Sequence, residues 1–166
     1  KVGEDGIKKA PVGAGPYRVV SLNPGVELVL EATDGYWRKT QSVKRLALRW
    51  IYQTGVLGKL ETTPLFVDGV LYGTGPDNVA FALDPRSGRP LWRYQRSLPA
   101  KINVCCGRVN RGFAALGDLL FLGTLDAHVV ALDAKTGHLV WDVEAADYRT
   151  GYSFTLAPLA LGDKII

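Results

Sequence analysis

The chain has 166 residues, roughly the length of one domain, and its 47% hydrophobic and 22% charged residues exclude a disordered protein. Its net charge of +4 comes from scattered lysines and arginines without interleaved aromatics, which argues against a nucleic-acid interface. No apolar run reaches the length of a membrane-spanning helix. The 19 glycines and 9 prolines stand in short clusters between apolar runs, which favours many short strands.

Residues 1–49 are predicted to be rich in β-hairpin. Strands are expected at Tyr17–Val20 and Val26–Glu31, joined by the tight turn Asn23–Gly25. From Val43 to Trp50 apolar and basic residues alternate, which is typical of an exposed strand. About 40 residues of this segment resemble the periplasmic solute-binding proteins of peptide and nickel ABC importers. The residues that carry this resemblance are Gly13–Tyr17, Pro24–Gly25, Glu27–Glu31, Asp34–Trp37 and Val43–Leu46.

Residues 50–166 contain an internal repeat, which predicts the architecture. Gly73 and Gly123 are 50 residues apart, whereas Asp84 and Asp133 are 49 apart, as are Trp92 and Trp141. A third copy begins at Pro158. Each copy offers four short strands, which is one blade of a β-propeller. The expected fold is therefore mainly β: two four-stranded blades and the start of a third, preceded by the hairpin-rich segment of residues 1–49.

Two repeated features are expected to be structural. The spacing Asp-x-x-x-Gly, from Asp84 to Gly88 and from Asp133 to Gly137, predicts a tight turn, because aspartate bonds the backbone ahead of it and glycine tolerates positive φ. The repeated tryptophans are expected to fill the wedge between neighbouring blades.

Residues that interrupt the repeat are better candidates for chemistry. Glu61 and Thr155 each stand three residues before a proline that opens a blade, so they are expected at equivalent points where propellers gather ligands. Cys105, Cys106 and Arg111 lie in the join between the two blades. Adjacent cysteines make a poor metal signature, because zinc sites separate paired ligands by two or more residues. The pair could be two buried thiols or a vicinal disulfide.

These joins are similar to the N-terminal blades of quinoprotein alcohol dehydrogenases, the oxidoreductases that use pyrroloquinoline quinone (PQQ) and calcium to oxidise methanol, ethanol and other primary alcohols to aldehydes. The resemblance covers about two-thirds of the chain, and the adjacent cysteines followed by Val-Asn-Arg-Gly are its most specific part. The residues that carry it are Thr54–Leu57, Glu61–Pro64, Cys105–Cys106, Val109–Gly112, Gly123–Ala127, Ala131–Gly137 and Trp141.

The resemblance implies five cofactor-binding residues. Cys105 and Cys106 would form a strained disulfide ring against one face of the quinone, and Arg111 would pair with a PQQ carboxylate, for which a guanidinium fork is well shaped. Glu61 and Thr155 would hydrogen-bond the cofactor. Arg108 has no counterpart in the family pattern and is interpreted as a surface residue. Asp126, Asp133 and Asp147 are interpreted as turn or loop residues without a matched role.

Neither a calcium ligand nor the general base of the family is found in the chain, so no catalytic and no metal residue is assigned. Together with the start at Lys1 and the absence of methionine, this indicates a fragment of a larger enzyme. A cytochrome c or a quinone would accept the electrons, and both resemblances imply the periplasm. The alternatives are a non-catalytic propeller scaffold, which would need neither the cysteine pair nor Arg111, and a solute-binding protein, supported by residues 1–49 alone.

Overall fold

The structure is a computed structural model that describes residues 15–23, 27–37 and 43–166, so part of the segment that resembles solute-binding proteins lies outside the described residues. The chain divides into two compact units, Lys1–Ile51 and Tyr52–Ile166. The described residues are mainly β-strand, and their only helical segments are two short 3-10 turns, Pro76–Asn78 and Tyr148–Thr150.

The first unit contains a three-stranded antiparallel sheet in the order β1-β2-β3. Its strands are β1 (Tyr17–Asn23), β2 (Glu27–Ala32) and β3 (Arg45–Ala47). The strand pairing of the predicted hairpin is confirmed, although the turn residues Pro24 and Gly25 lie outside the described residues. β3 is shorter than the alternation from Val43 to Trp50 predicted. All three residues of β3 are exposed, so burial of apolar side chains does not stabilise a longer strand here.

The second unit consists of two four-stranded antiparallel sheets and a hairpin, as the repeat predicted. The first blade has β4 (Leu65–Val67), β5 (Val70–Thr74), β6 (Val79–Leu83) and β7 (Pro90–Gln95). The second blade has β8 (Ala114–Leu116), β9 (Leu119–Gly123), β10 (His128–Asp133) and β11 (Leu139–Glu144). The third copy supplies the hairpin of β12 (Ala160–Leu161) and β13 (Lys164–Ile165).

The predicted tight turns close the outer hairpin of each blade. Asp84 Oδ1 accepts hydrogen bonds from the backbone amides of Arg86 and Ser87, at 2.8 and 3.0 Å. Asp133 Oδ1 does the same for the two residues at the equivalent positions of the second blade. Gly88 and Gly137 both adopt φ +71°, a conformation that glycine enters without steric cost.

The core lies between the two blades, and Trp92 is central to it. Trp92 is 8% exposed, and its indole N–H donates to the carbonyl of Ala134 across the interface at 2.9 Å. The hydroxyl of Tyr72 donates to the same carbonyl at 3.2 Å. Core packing is therefore confirmed for Trp92, with these buried neighbours: Tyr72, Ala80, Ala82, Phe113, Leu120, Leu122, Val130 and Leu132.

The equivalent tryptophan of the second blade is not buried to the same degree. Trp141 packs on Phe121, with ring centroids 5.7 Å apart, but it remains 37% exposed. The element that follows β11 is a hairpin with only two residues in each strand. The packing predicted for this residue is therefore found only in part, because Trp141 packs on Phe121 but is more exposed than Trp92.

The strand registers bring the joins between repeats to one end of the blades. β5 ends at Thr74, which is paired with Ala80 near the start of β6, and Gln95 at the end of β7 is paired with Val79. The segment before β4, the β5–β6 turn and the segment after β7 therefore lie at the same end. The second blade repeats this arrangement, so the predicted site residues all lie on segments at this end.

Candidate cofactor-binding site

Two of the joins run side by side and are held by threonine. The amide of Thr63 donates to the carbonyl of Arg111 at 2.9 Å. The fully buried hydroxyl of Thr74, at the end of β5, lies 3.0 Å from the hydroxyl of Thr62 and donates to the carbonyl of Asn110 at 3.1 Å. The segment before β4 and the segment before β8 are thus fixed against each other.

Arg111 stands at the meeting point of three joins. Its Nη2 donates to Glu61 Oε2 at 2.7 Å, and its Nη1 donates to the backbone carbonyl of Thr155 at 3.2 Å. The two partners are 50 and 44 residues away in the sequence. The structure thus brings together three residues that the sequence singled out separately, although Thr155 contributes its carbonyl rather than its hydroxyl to this contact.

Asn110 and Gly112 hold the backbone on either side of Arg111. Asn110 is 1% exposed, and its side chain donates to the carbonyl of Gly123 at 2.8 Å and accepts from the amide of Gly112 at 3.0 Å. Gly112 has φ +134°, and a Cβ there would lie 3.0 Å from the carbonyl oxygen of Thr63. Only glycine combines this conformation with so close an approach, which explains the residue that follows Arg111.

Cys105 and Cys106 are free thiols, and both are exposed. The structure therefore shows neither of the two arrangements considered from the sequence, a disulfide ring or a pair of buried thiols. A ring between neighbouring cysteines requires the peptide between them to distort, because bridged Cα atoms are normally farther apart. The ring remains a prediction for the oxidised protein.

The Cys105 thiol responds to its neighbour and to the charge of Arg111. A hydrogen bond with the Cys106 thiol raises the pKa of Cys105, with smaller contributions from desolvation and from the charge of Cys106. The positive charge of Arg111 opposes this rise in pKa. All five predicted residues lie on segments at the same end of the blades.

The arrangement can receive an anionic group. The side chains of Arg111 and Glu61 are 38% and 34% exposed, so the pair is open to solvent. Glu61 and Thr155 each engage one terminal nitrogen of the guanidinium, and a guanidinium carries five N–H donors in a planar fork. Donors therefore remain for a carboxylate, which fits the predicted role of Arg111.

Arg108 lies at the surface, as interpreted from the sequence, and it also forms an ion pair. Its Nε forms an ion pair with Asp77 Oδ1, on the β5–β6 turn of the first blade. The amide of Asp77 in turn donates to the carbonyl of Arg108 at 3.1 Å. The side chain of Arg108 is 41% exposed, so it lies at the surface but is tied to a blade.

Asp126 is a buried residue rather than a plain loop residue. Its carboxylate accepts two hydrogen bonds from Arg96 Nε, at 2.7 and 2.9 Å, and one from the hydroxyl of Thr124 at 2.6 Å. Arg96 also donates to Asp142, which contacts His128 Nδ1 at 2.7 Å. Burial favours a higher pKa for Asp126, but these hydrogen bonds outweigh it and lower the pKa. No local pattern indicates this cluster, because Arg96 and Asp126 are separated by 30 residues in the sequence.

The described residues contain no group of three or more histidine, cysteine, aspartate or glutamate side chains that could hold a metal ion. Within the same ranges, no helix has the length and hydropathy needed to cross a membrane.

Consecutive four-stranded antiparallel blades around a shared core define the second unit as part of a repeat β-propeller. The family model of the β-propeller domain of glucose, ethanol and alcohol dehydrogenases, the PQQ family, matches residues 39–142. The chain belongs to this family, as its sequence motifs predicted.

Curated relatives agree with this assignment. The chain is 42% identical over 127 residues to the quinoprotein alcohol dehydrogenase PedH of Pseudomonas putida, a match that covers 75% of the chain and 21% of the relative. It is 42% identical over 135 residues to methanol dehydrogenase (cytochrome c) subunit 1 of Methylobacterium organophilum, covering 75% of the chain and 22% of the relative. The chain thus spans about a fifth of the length of these relatives.

Solved structures show the same fold. A europium-containing methanol dehydrogenase matches with a TM-score of 0.63 and 35% identity, over 71% of this chain and 21% of that one. The quinohemoprotein alcohol dehydrogenase of Comamonas testosteroni matches with a TM-score of 0.60 and 31% identity, over 71% of this chain and 18% of that one. BamB of Moraxella catarrhalis matches at 19% identity with a TM-score of 0.53, over 89% of this chain and 42% of that one, which is a likeness of fold alone.

The N-terminal segment has a separate match. The family model of the middle region of family 5 bacterial extracellular solute-binding proteins matches residues 1–71. This agrees with the resemblance seen in residues 1–49, and the two family models overlap over residues 39–71.

Proposed function

We propose that the chain supplies part of the PQQ-binding wall of an alcohol dehydrogenase that, when complete, oxidises primary alcohols to aldehydes. The observation that carries this proposal is the convergence of Glu61, Arg111 and Thr155, at the end of the blades where the segment with Cys105 and Cys106 also lies. These residues come from three separate joins, and none of them belongs to the repeated pattern that builds the blades. A propeller that served only as a scaffold would have no need for this convergence.

Arg111 is the principal binding group in this proposal. PQQ carries three carboxylates, and the planar fork of a guanidinium can bind one of them through two parallel hydrogen bonds. The ion pair with Glu61 holds the guanidinium in place before the cofactor arrives. Glu61 and Thr155 then complete the polar edge of the wall by hydrogen-bonding the cofactor.

The cysteine pair would supply the flat part of the wall. Oxidation of the two thiols to a disulfide would close a small, rigid ring whose face suits stacking on a planar quinone. That step removes two electrons and two protons from the thiols, so it needs an external oxidant such as a disulfide reagent. A ring strained in this way is easier to reduce than an ordinary structural disulfide.

Bound PQQ would accept two electrons from the alcohol, with a calcium ion polarising the quinone carbonyl as a Lewis acid. The residues of this chain would bind and orient the cofactor, whereas we assign them neither a calcium ligand nor the general base. We further propose a cytochrome c or a quinone as electron acceptor and the periplasm as the location. These proposals rest on the family and on both matched segments.

The test is a fluorescence titration of the whole chain with PQQ, before and after oxidation of the thiols. We expect weak binding, with a dissociation constant above about 1 μM, because one wall of a site provides only part of the binding free energy. Arg111→Gln should weaken binding at least about tenfold, since a charge-assisted pair contributes on the order of 1.5–3 kcal/mol.

Arg86→Gln is the matched control, because Arg86 lies in the outer turn of the first blade, at the opposite end from Arg111. It should bind PQQ as the parent chain does. Equal affinity of the parent chain and the Arg111 variant would contradict the proposal, and so would the absence of any saturable binding.

One alternative is favoured by a specific match. The family model for solute-binding proteins covers residues 1–71, so the N-terminal segment could belong to a peptide- or nickel-binding protein. Titration with a dipeptide, or with Ni²⁺ after alkylation of the two exposed thiols, which would otherwise bind the metal, distinguishes this function. Saturable binding of such a ligand that survives Arg111→Gln would favour the alternative.

A further inference from the structure

The loop that carries the cysteine pair is tied to the first blade just after the thiols. We propose that the ion pair between Asp77 and Arg108 is a clamp that positions Cys105 and Cys106 against Arg111. Arg108 is then a positioning residue, which acts on the cofactor wall through the thiols. The functional meaning of the clamp rests on the proposed PQQ wall, whereas its effect on the thiols can be measured without any cofactor.

The clamp has two contacts that run in opposite directions. The guanidinium of Arg108 reaches the carboxylate of Asp77, and the amide of Asp77 donates to the carbonyl of Arg108 at 3.1 Å. Together they fix both the backbone and the side chain of Arg108. The two side chains are 41% and 31% exposed, so the pair is only partly screened by water.

The turn that carries Asp77 provides a rigid anchor. Asp77 and Asn78 adopt φ +59° and +55°, a left-handed conformation that side chains other than glycine enter at a cost. Asn78 is fully buried, and its side-chain oxygen accepts from the amide of Leu125 in the second blade at 2.8 Å. The turn is thus wedged between the blades, and contacts with both of them stabilise its strained backbone.

Arg108 is where the anchored part of the loop begins. Val109 and Asn110, which follow it, are each 1% exposed, and Asn110 is bonded to the second blade. Cys105 and Cys106, which precede it, are exposed. Among the described contacts between this loop and a blade, the clamp therefore lies nearest to the thiols in the sequence.

The clamp should set the distance between the thiols and Arg111. Arg111 is itself held by Glu61 and Thr155, so we expect it to stay in place when the clamp is removed. The exposed thiols should then move away from it. The influence of the guanidinium on the Cys105 thiol should then weaken, which gives the clamp a measurable signature.

The experiment measures the rate of alkylation of Cys105 by iodoacetamide against pH in the whole reduced chain, resolved by peptide mapping. The variants are Asp77→Asn, which keeps a residue that tolerates the left-handed turn, and Arg108→Gln. We expect both to move the midpoint of the profile upward, so that alkylation at neutral pH falls about threefold, because only the thiolate reacts. Arg108→Lys keeps the charge and should recover part of the effect.

The matched control is Asp118→Asn, which removes an exposed ion pair with Lys135 in the β8–β9 turn. Its alkylation profile should coincide with that of the parent chain. Circular dichroism checks that the variants keep the β-structure of the blades. A change in the access of iodoacetamide to the thiol alters the plateau of the rate–pH profile but not its midpoint.

Midpoints that stay unchanged in both Asp77→Asn and Arg108→Gln would overturn the proposal, whatever their PQQ affinity. Failure of the parent chain to bind PQQ would instead overturn the proposed function, and the thiol profiles would still decide whether the clamp exists. A profile moved equally by Asp118→Asn would mean a general electrostatic effect and would also overturn the clamp.

Discussion

Gly137 has to satisfy two constraints at once. It adopts φ +71° in the turn between β10 and β11, and its Cα faces the indole of Trp92 so closely that a Cβ would lie 2.5 Å from the ring. Gly117, in the β8–β9 turn of the same blade, adopts φ +60° with no atom within 4 Å of such a Cβ. Substitution of the two glycines by alanine therefore separates two contributions to the loss of stability. One is the strained backbone conformation, present at both positions, and the other is the steric clash with Trp92, present at Gly137 alone.

Gly137→Ala should destabilise the chain more than Gly117→Ala. The left-handed conformation costs about 1–2 kcal/mol for either alanine, and overpacking against Trp92 should add about 1–3 kcal/mol at residue 137 alone. Urea denaturation followed by tryptophan fluorescence gives both free energies of unfolding. Equal losses would mean that Trp92 moves aside without cost.

At the scale of single residues, the sequence predicted the roles of residues that recur in the repeat or that belong to a known motif. Asp84 and Asp133 were recognisable as turn residues because their roles are local, within three residues of the chain. Asp126 was not recognisable, because its partner Arg96 is brought to it by the docking of two blades. The pairing of Arg108 with Asp77 was not predictable either, because these residues are 31 positions apart in the sequence and meet only in the folded chain.

At the scale of elements, the cluster of Arg96, Asp126, Asp142 and His128 links the two blades. Arg96 directly follows β7 of the first blade, whereas its carboxylate partners belong to the second. The side chains of Arg96 and Asp126 are only 9% and 8% exposed. Removing Asp126 leaves the buried guanidinium of Arg96 with Asp142 as its remaining carboxylate partner, and Asp142 is more exposed, so the loss should cost more than the loss of a surface ion pair.

Asp126→Asn should lower the free energy of unfolding by about 3 kcal/mol near neutral pH. Asp142→Asn should cost less, since the side chain of Asp142 is 31% exposed. Thermal unfolding of both variants and the parent chain gives the ranking. The opposite ranking would indicate that the contact with Asp142 matters more for docking of the blades.

The loss in Asp126→Asn should also depend on pH. Hydrogen bonds from Arg96 and Thr124 hold the pKa of Asp126 below its ordinary value in the folded chain, so its contribution to stability is present above that ordinary value and is lost as pH falls through the folded pKa. The difference in melting temperature between parent and variant should be full above about pH 5 and shrink below about pH 4. A difference that stays constant down to pH 3 would contradict the ionic role.

The blades themselves were predictable from the sequence, because each strand repeats at a spacing of 49 or 50 residues and ends in a turn with a known residue preference. The unequal burial of Trp92 and Trp141 was not predictable. Both occupy the same repeated position, and their burial depends on the size of the neighbouring element rather than on their own sequence.

At the scale of the whole molecule, the chain contains two compact units whose strands pair only within each unit, over the described residues. The interblade core of the second unit is built from residues between Leu65 and Ala134. Residues 52–166 produced alone should therefore unfold cooperatively on heating. Their melting temperature should lie within a few degrees of the melting temperature of the blades in the whole chain. Loss of cooperativity in the shorter chain would show that residues 1–51 are needed for folding.

Family membership was predictable from short motifs, since adjacent cysteines followed by Val-Asn-Arg-Gly combine rare features in a fixed order. How the five site residues would meet was predictable only in outline. Equivalent positions in successive repeats indicated the same end of the blades, but the particular partners of Arg111 depend on side-chain directions that a linear pattern does not encode.

The contacts of Arg111 also set an order of events during folding. Its partners Glu61 and Thr155 lie 50 and 44 residues away, on opposite sides in the sequence. Closing such long loops is slow unless local structure has already shortened them, and in repeat proteins each blade can form before it docks on its neighbour. The guanidinium can meet both partners only after two consecutive dockings, so on a ribosome this part of the proposed cofactor wall would form only after the chain as far as Thr155 has emerged.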